Sequence, residues 1–384
     1  MDMVKVLIID DSAFNRRTLT KLLESVPGVE VAGTATNGSE GLKQAMRLKP
    51  DLITLDLEMP VMDGFTFLRI LMKIAPVPVI VISSKDEDID VFKAMELGAV
   101  DFIPKPTHTP SMTLFNIKDE LIRKVKMLPH LKMEKIARGI SRPLEDIQTD
   151  VKNLSPKALI GEEVPIQRGN LPLSPSMRGI KGDVAVSGFD VIAIGSSTGG
   201  PPALSQILPL LPEGFPVCVV VSQHMPPGFT KPFAERLNKI CKMKVKEAAN
   251  EEVVKTGEIL IAPGGRHLSF KRSKTGEVVT NLLERKEADK YVPSVDIMFS
   301  SASLIWGERT MGIVLTGMGY DGKEGVVRIK EKGGYVIAES EETSIVFGMP
   351  ESAIATGAVD EVAPLYDIGP KIVKGCATGL LKRA

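Results

Sequence analysis

The chain has 384 residues, 43% apolar and 25% charged, a globular composition long enough for two or three hydrophobic cores. Lys plus Arg and Asp plus Glu both number 48, so no overall field draws the molecule to nucleic acid or an anionic membrane, and any partner must be recognised locally. The three cysteines, Cys218, Cys241 and Cys376, are far apart without Cys-x-x-Cys spacing, which argues against a disulfide framework or thiolate zinc site and fits a reducing cytoplasm.

Met1-Asp2-Met3 leads directly into a strand-like run at Val4, leaving no room for a signal peptide, and no apolar run is long enough to insert into a bilayer. Short apolar, β-branched runs at residues 4–9, 29–35, 51–55, 78–82 and 101–103 alternate with amphipathic stretches. This pattern predicts five βα units around a parallel sheet within a first domain, residues 1–128. In the first helical stretch Leu19, Leu22 and Leu23 repeat at i, i+3, i+4 while Arg16, Arg17 and Lys21 face elsewhere, as a helix covering a sheet requires. Residues 129–187 lose all periodicity among Pro, Ser, Gly and charge and read as an interdomain linker. Strand-like runs return at 190–194, 217–222, 258–262, 310–316 and 335–339, with a hairpin around Lys274-Thr275-Gly276. Residues 188–384 are therefore expected to form a second, doubly wound, mainly parallel α/β domain with a β-hairpin.

Asp10 and Asp11 end the first predicted strand, Asp56 the third and Ser83 the fourth, and Lys105 follows the fifth. Ligands bind at the carboxyl edge of an open parallel sheet, so three carboxylates, a hydroxyl and an ammonium should converge in one crevice. Clustered carboxylates repel one another unless a hard divalent cation sits among them, and oxygen-only ligands suit Mg2+. Any one of these acids alone reads as a solvated helix cap. The five positions together resemble the receiver domain of response regulators, a (βα)5, flavodoxin-like fold. That resemblance implies that Asp56 accepts a phosphoryl group and that Asp10, Asp11 and Asp56 hold Mg2+. It also implies that Ser83 and Lys105 bond the phosphoryl oxygens and that the rotamer of Phe102 reports the phosphorylated state.

In the second domain, Gly195-Ser196-Ser197-Thr198-Gly199-Gly200 forms a glycine-rich turn between a strand and a helix starting near Pro201. Such a turn lifts a hydroxyl into the open and aims backbone N–H groups at the space above it. A serine needs a nearby base. His224, one of four histidines, ends the next strand, and Asp321 follows a later one in Gly317-Met318-Gly319-Tyr320-Asp321. Three strand ends thus offer a hydroxyl, an imidazole and a carboxylate on one sheet edge. Ser196 and Ser222 stand as further candidate nucleophiles. His108, His130 and His267 read as packed or surface residues, His267 also as a candidate lining of the cleft. A dinucleotide-binding turn is disfavoured, because Ser197 replaces the middle glycine of G-x-G-x-x-G and Val219, Val220 and Val221 stand where a ribose-binding acid belongs.

From Phe189 to about Leu381 the sequence closely resembles the catalytic domain of the chemotaxis protein-glutamate methylesterases. The match includes the turn at Ser197, the segments around His224 and Asp321, Ile261-Ala-Pro-Gly-Gly, Pro293-Ser-Val-Asp and Val346-Phe-Gly-Met-Pro. The motif alignment favours Ser197 as nucleophile. The resemblance implies His224 as general base and then acid, Asp321 as orienter, Thr198 beside the nucleophile and the Met318 N–H in the oxyanion hole. It further implies demethylation of glutamate methyl esters on methyl-accepting chemoreceptors, deamidation of glutamines, a chemotaxis histidine kinase as phosphodonor and no cofactor for the hydrolase. The receiver is expected to restrain the hydrolase until Asp56 is phosphorylated.

Competing classes are a receiver-linked binding module with an inactive triad and a transcriptional regulator. The intact Ser197, His224 and Asp321 oppose the first. Against the second stand the balanced charge and the lack of a basic recognition helix after the linker, the basic stretch Arg123, Lys124, Lys126, Lys132 and Lys135 reading as a solvated helix face. The same esterase chemistry in a chemosensory pathway that does not govern motility fits the sequence equally well.

Overall fold

The computed structural model describes residues 3–83, 88–105, 121–127 and 188–378, so the expected linker, His108 and His130 lie outside the described residues. The chain divides into two compact units, Met1–Ser141 and Arg142–Ala384. Among the described residues no helix is long and apolar enough to cross a membrane.

In the first unit β1 (Val4–Ile9), β2 (Val29–Ala35), β3 (Leu52–Asp56), β4 (Val79–Ser83) and β5 (Asp101–Pro104) form a parallel sheet in the order β2-β1-β3-β4-β5. β3 and β4 are buried along their whole length, as central strands covered on both faces are, which is why they read as near-continuous apolar runs. Helices α1 (Ala13–Glu24), α2 (Gly38–Leu48) and α3 (Gly64–Ile74) begin where Ser12, Asn37 and Asp63 accept the N–H of Asn15, Glu40 and Thr66. Among the described residues two more helices follow, α4 (Asp88–Glu96) and α5 (residues 121–127).

Lys124 corrects the expectation of a solvated basic face. It is 7% exposed, its Nζ donates to the carbonyl of Phe102 at 2.9 Å, and it pairs with Asp101 at 3.0 Å. A buried ammonium is tolerated only when paired and hydrogen-bonded, and here both partners come from β5. Arg123 is half-buried and Lys126 exposed, while Lys132 and Lys135 lie outside the described residues.

The second unit is built on β6 (Val191–Ser196), β7 (Cys218–Gln223), β8 (Lys244–Glu247), β9 (Glu258–Ile261), β12 (Thr310–Val314), β13 (Tyr335–Glu339) and β14 (Glu361–Ala363). These form one sheet in the order β14-β13-β12-β6-β7-β9-β8, with every pairing parallel. β8 and β14 add to the strands expected from sequence. They are short, charged edge strands, the form in which a sheet avoids pairing with another molecule. β10 (Arg266–Arg272) and β11 (Val278–Glu284) make a separate antiparallel hairpin around the expected turn. Helices α6 (Gly200–Ile207), α7 (Thr230–Ile240), α8 (Val295–Trp306), α9 (Lys323–Glu331), α10 (Gly348–Ile354) and α11 (Leu365–Thr378) accompany the sheet.

Met298, Phe299 and Ala302 of α8 share a core with Leu268 and Phe270 of β10 and with Val326 and Ile329 of α9, which ties the hairpin to the body of the unit. The chain builds β7, β8 and β9 on one side of β6 and then crosses to β12 on the other. Strand order therefore reverses between β6 and β12, and such a switch point leaves a crevice at the carboxyl ends of the strands.

Candidate functional site

At the carboxyl edge of the first sheet, ligand oxygens of Asp10, Asp11 and Asp56 lie within 4.8 Å of one another. Asp10 and Asp56 are buried and Asp11 is exposed. Lys105 Nζ reaches Asp56 Oδ2 at 3.0 Å and Oδ1 at 2.9 Å. Asp10 accepts the Ser12 N–H at 2.8 Å and the Asn15 amide at 3.2 Å. Burial pushes the Asp56 carboxyl up to about 6, and the charge of Asp10 adds to that push against the pull of Lys105. Burial likewise raises Asp10, with Asp11 contributing. Among the described residues one ammonium thus leaves the cluster under-neutralised, and its oxygen donors fit a hard divalent cation such as Mg2+. Ser83 is buried at the end of β4 and its carbonyl accepts the Lys105 N–H at 2.6 Å. Phe102 is also buried, its ring edge-on to Phe92 with centroids 6.4 Å apart.

In the second unit Ser197 sits just past β6. Gly199, at φ 78°, turns the chain into α6 through a region that disfavours side chains. The Ser197 N–H donates to the carbonyl of Thr316 at 3.1 Å, and Thr316 Oγ1 donates to the carbonyl of Thr198 at 3.0 Å. The buried Glu339 holds Thr316 from below by accepting its N–H at 2.7 Å. Gln223 anchors the other side, donating to the carbonyls of Ser197 at 2.9 Å and His224 at 3.0 Å. The same Gln223 accepts the hydroxyl of Ser196 at 2.7 Å. Ser196 and Ser222 are fully buried, whereas Ser197 is partly exposed, so of the three candidates only Ser197 reaches solvent.

His224 leaves the end of β7, its N–H bonded to the carbonyl of Ser196 at 3.0 Å. Its Nε2 lies 2.7 Å from Asp321 Oδ2. Its ring stacks on Tyr291, with centroids 4.9 Å apart and planes 9° from parallel. Asp321 is 2% exposed and is held by a cradle from the start of α8. Oδ1 accepts Ser294 Oγ and the Asp296 N–H, each at 3.0 Å, and Oδ2 accepts the Val295 N–H at 2.7 Å. Burial alone would raise this carboxyl, but the hydrogen bond and charge of His224, with the two backbone donors, hold it below the usual carboxylate range. The neighbouring Asp296 bears the cost of that charge, being pushed up to about 7 by burial and by the repulsion of Asp321.

The structure therefore joins His224 to Asp321 directly and sets Ser197 on the adjoining strand end. Among the described residues the Ser197 hydroxyl is hydrogen-bonded to neither. Thr198, next to Ser197 in the turn, and Met318 are largely buried, and the Met318 N–H donates to none of the described residues. Sequence reasoning did not single out Gln223, Tyr291, Glu339 or Ser294 as individual residues. The Pro293-Ser-Val-Asp segment was a visible signal for Ser294, whose part became plain only with the direction of its N–H and hydroxyl.

Two family models match the chain, the response regulator receiver domain over residues 6–114 and the CheB methylesterase over residues 192–372. The protein-glutamate methylesterase/protein-glutamine glutaminase 3 of Geobacter sulfurreducens is 48% identical over 381 residues, 99% of this chain and 99% of its own length. Its counterpart numbered 1 in Myxococcus xanthus is 45% identical, covering 96% of each chain. The crystal structure of the Thermotoga maritima CheB methylesterase catalytic domain is 45% identical, covers 48% of this chain and 98% of that chain, and superposes with a TM-score of 0.47. A receiver model, a methylesterase model and full-length relatives at such identity converge, and the chain belongs to the protein-glutamate methylesterase/protein-glutamine glutaminase family.

Proposed function

We propose that Ser197, His224 and Asp321 hydrolyse glutamate methyl esters on methyl-accepting chemoreceptors, and that phosphorylation of Asp56 raises this activity during chemotaxis adaptation in the cytoplasm. The observation that carries the reading is the 2.7 Å bond between His224 Nε2 and a buried Asp321 whose oxygens are saturated with donors. That bond leaves Nδ1 as the ring nitrogen available to a hydroxyl, and the stacked Tyr291 restrains the ring from turning away.

Ser197 Oγ attacks the ester carbonyl carbon while His224 Nδ1 takes its proton. Negative charge develops on the carbonyl oxygen, where the Met318 N–H supplies a donor. The tetrahedral intermediate then collapses, His224 returns the proton to the leaving oxygen, and methanol departs. Water, deprotonated by the same imidazole, next attacks the glutamyl-Ser197 ester and regenerates the hydroxyl. With a glutamine the leaving group is ammonia. A hydroxyl without a ground-state bond to its base suits this cycle, because such bonds commonly tighten only once substrate is present.

In the receiver, Asp10, Asp11 and Asp56 would hold Mg2+, which would neutralise charge on the incoming phosphoryl group. Asp56 accepts that group from a chemotaxis histidine kinase, Lys105 and Ser83 bond its oxygens, and Phe102 adjusts its packing. Ser197→Ala should lower methanol release from methylated receptors by several orders of magnitude. Retention of most of the activity would refute the assignment. Acetyl phosphate with Mg2+ should stimulate the wild type and leave Asp56→Asn unchanged.

A further inference from the structure

A second imidazole–carboxylate pair stands behind Asp321. His267, on β10, is 2% exposed. Its Nδ1 accepts the backbone N–H of Ser294 at 3.1 Å and its Nε2 lies 2.9 Å from Asp289 Oδ2. A backbone N–H can only donate, so Nδ1 carries the lone pair and Nε2 the hydrogen given to Asp289, a single neutral tautomer selected by its two neighbours. Asp289 is pinned in turn by the Lys286 N–H at 2.7 Å. That bond first, and the bond from His267 second, hold its carboxyl below the usual range.

Ser294 is the N-cap of α8, and it opens the three-residue cradle of Asp321, followed by Val295 and Asp296. We propose that His267 is a positioning residue for the hydrolase, fixing through Ser294 the turn that delivers three hydrogen bonds to Asp321 and so aligns His224. This rests on the reading of Ser197, His224 and Asp321 as the catalytic group. An imidazole suits the place because the position needs an acceptor on one side and a donor on the other. An apolar side chain would leave the N–H of Ser294, a residue 8% exposed, without its partner. The hairpin thereby becomes part of the catalytic apparatus, although its strands belong to neither large sheet.

The test measures methanol release from methylated receptors by the full chain with acetyl phosphate and Mg2+. His267→Ala should lower kcat roughly 10-fold to 100-fold with KM little changed. His267→Gln should recover most of that loss, since its amide oxygen can accept from Ser294 while its NH2 donates to Asp289. In an Asp321→Ala background the further loss from His267→Ala should shrink to about 2-fold or less, because the residue acts through Asp321. Equal fold losses in both backgrounds, or wild-type kcat in His267→Ala, would overturn the proposal. Where His267→Ala is too unstable to assay, His267→Gln and His267→Leu form the comparison, being close in volume but differing in the acceptor; equal activity of the two would also overturn it. Ser197→Ala separates the two failures, since an active Ser197→Ala protein removes the catalytic reading itself, whereas an inactive one beside a fully active His267→Ala removes only the positioning role.

Discussion

Asp56 and Asp321 are both buried carboxylates at the carboxyl edge of a parallel sheet, one in each unit, and their surroundings drive them in opposite directions. Among the described residues Asp56 shares its crevice with two further carboxylates and receives one ammonium and a single long bond from the Glu58 N–H at 3.3 Å, so its ionised form is poorly supported. Asp321 receives an imidazole, a hydroxyl and two backbone N–H groups from its own fold. A site proposed to bind an external cation and then a phosphoryl group is left electrostatically incomplete. A site proposed to hold one geometry through every turnover is completed from within.

The largest effect should come from disturbing the complete site. Asp321→Asn keeps the shape of the side chain but in either amide orientation sets its NH2 against a backbone donor, the Asp296 N–H or the Val295 N–H, and leaves no charge to support His224. A loss in kcat of roughly 10^4-fold in methanol release is expected; a loss below tenfold would mean that the cradle contributes little to catalysis.

The incomplete site should show itself in stability. The Asp56 carboxyl ionises near 3.8 when unfolded and near 6 when folded, so within that window folding takes up a proton. Without Mg2+ the receiver should therefore lose stability as pH rises from about 4 to about 6, by on the order of 3 kcal/mol, and remain at the lower level above that. Saturating Mg2+ favours the ionised form and should flatten the decline, and Asp56→Asn should abolish this contribution. Hydrogen exchange of β3 and β4 amides in the full chain provides the measurement, and equal protection at pH 4 and pH 7 without Mg2+ would show that Lys105 alone balances the cluster.

The smallest effect concerns loop strain. The hydrolase elbow assigns its left-handed residue to Gly199, whereas the loop after Asp56 assigns one to Val61, at φ 70° and 88% exposed. A β-branched residue there costs roughly 1–2 kcal/mol. Val61→Asn should raise receiver stability by about 1 kcal/mol in denaturant titration; no gain would indicate that the loop relaxes at no cost.

Much of this organisation was legible in advance, for identifiable reasons. Strands β1 to β5 announce themselves as apolar runs, and Asp56, Ser83, Ser197 and His224 follow because parallel strands deliver the residues at their ends to the carboxyl rim of their own sheet. Lys124 was misread because a helix pattern does not reveal that Asp101 and the Phe102 carbonyl wait on the adjacent strand. β8 and β14 escaped notice because Lys244-Val-Lys-Glu and a three-residue edge carry almost no hydrophobic signal. His267 was one histidine among four, and its partners, 22 and 27 positions away, are set by the closure of a hairpin rather than by any local period.

Gly195, the first residue of the elbow motif, has a consequence of its own. A β-carbon built on it would run into the side chain of Val295, whose N–H bonds Asp321. The clearance between the serine's strand and the helix whose start cradles Asp321 is thus gauged by a single hydrogen atom. Adding one methyl at this position would push the two apart and detune the proposed relay while leaving every polar atom of the site in the chain.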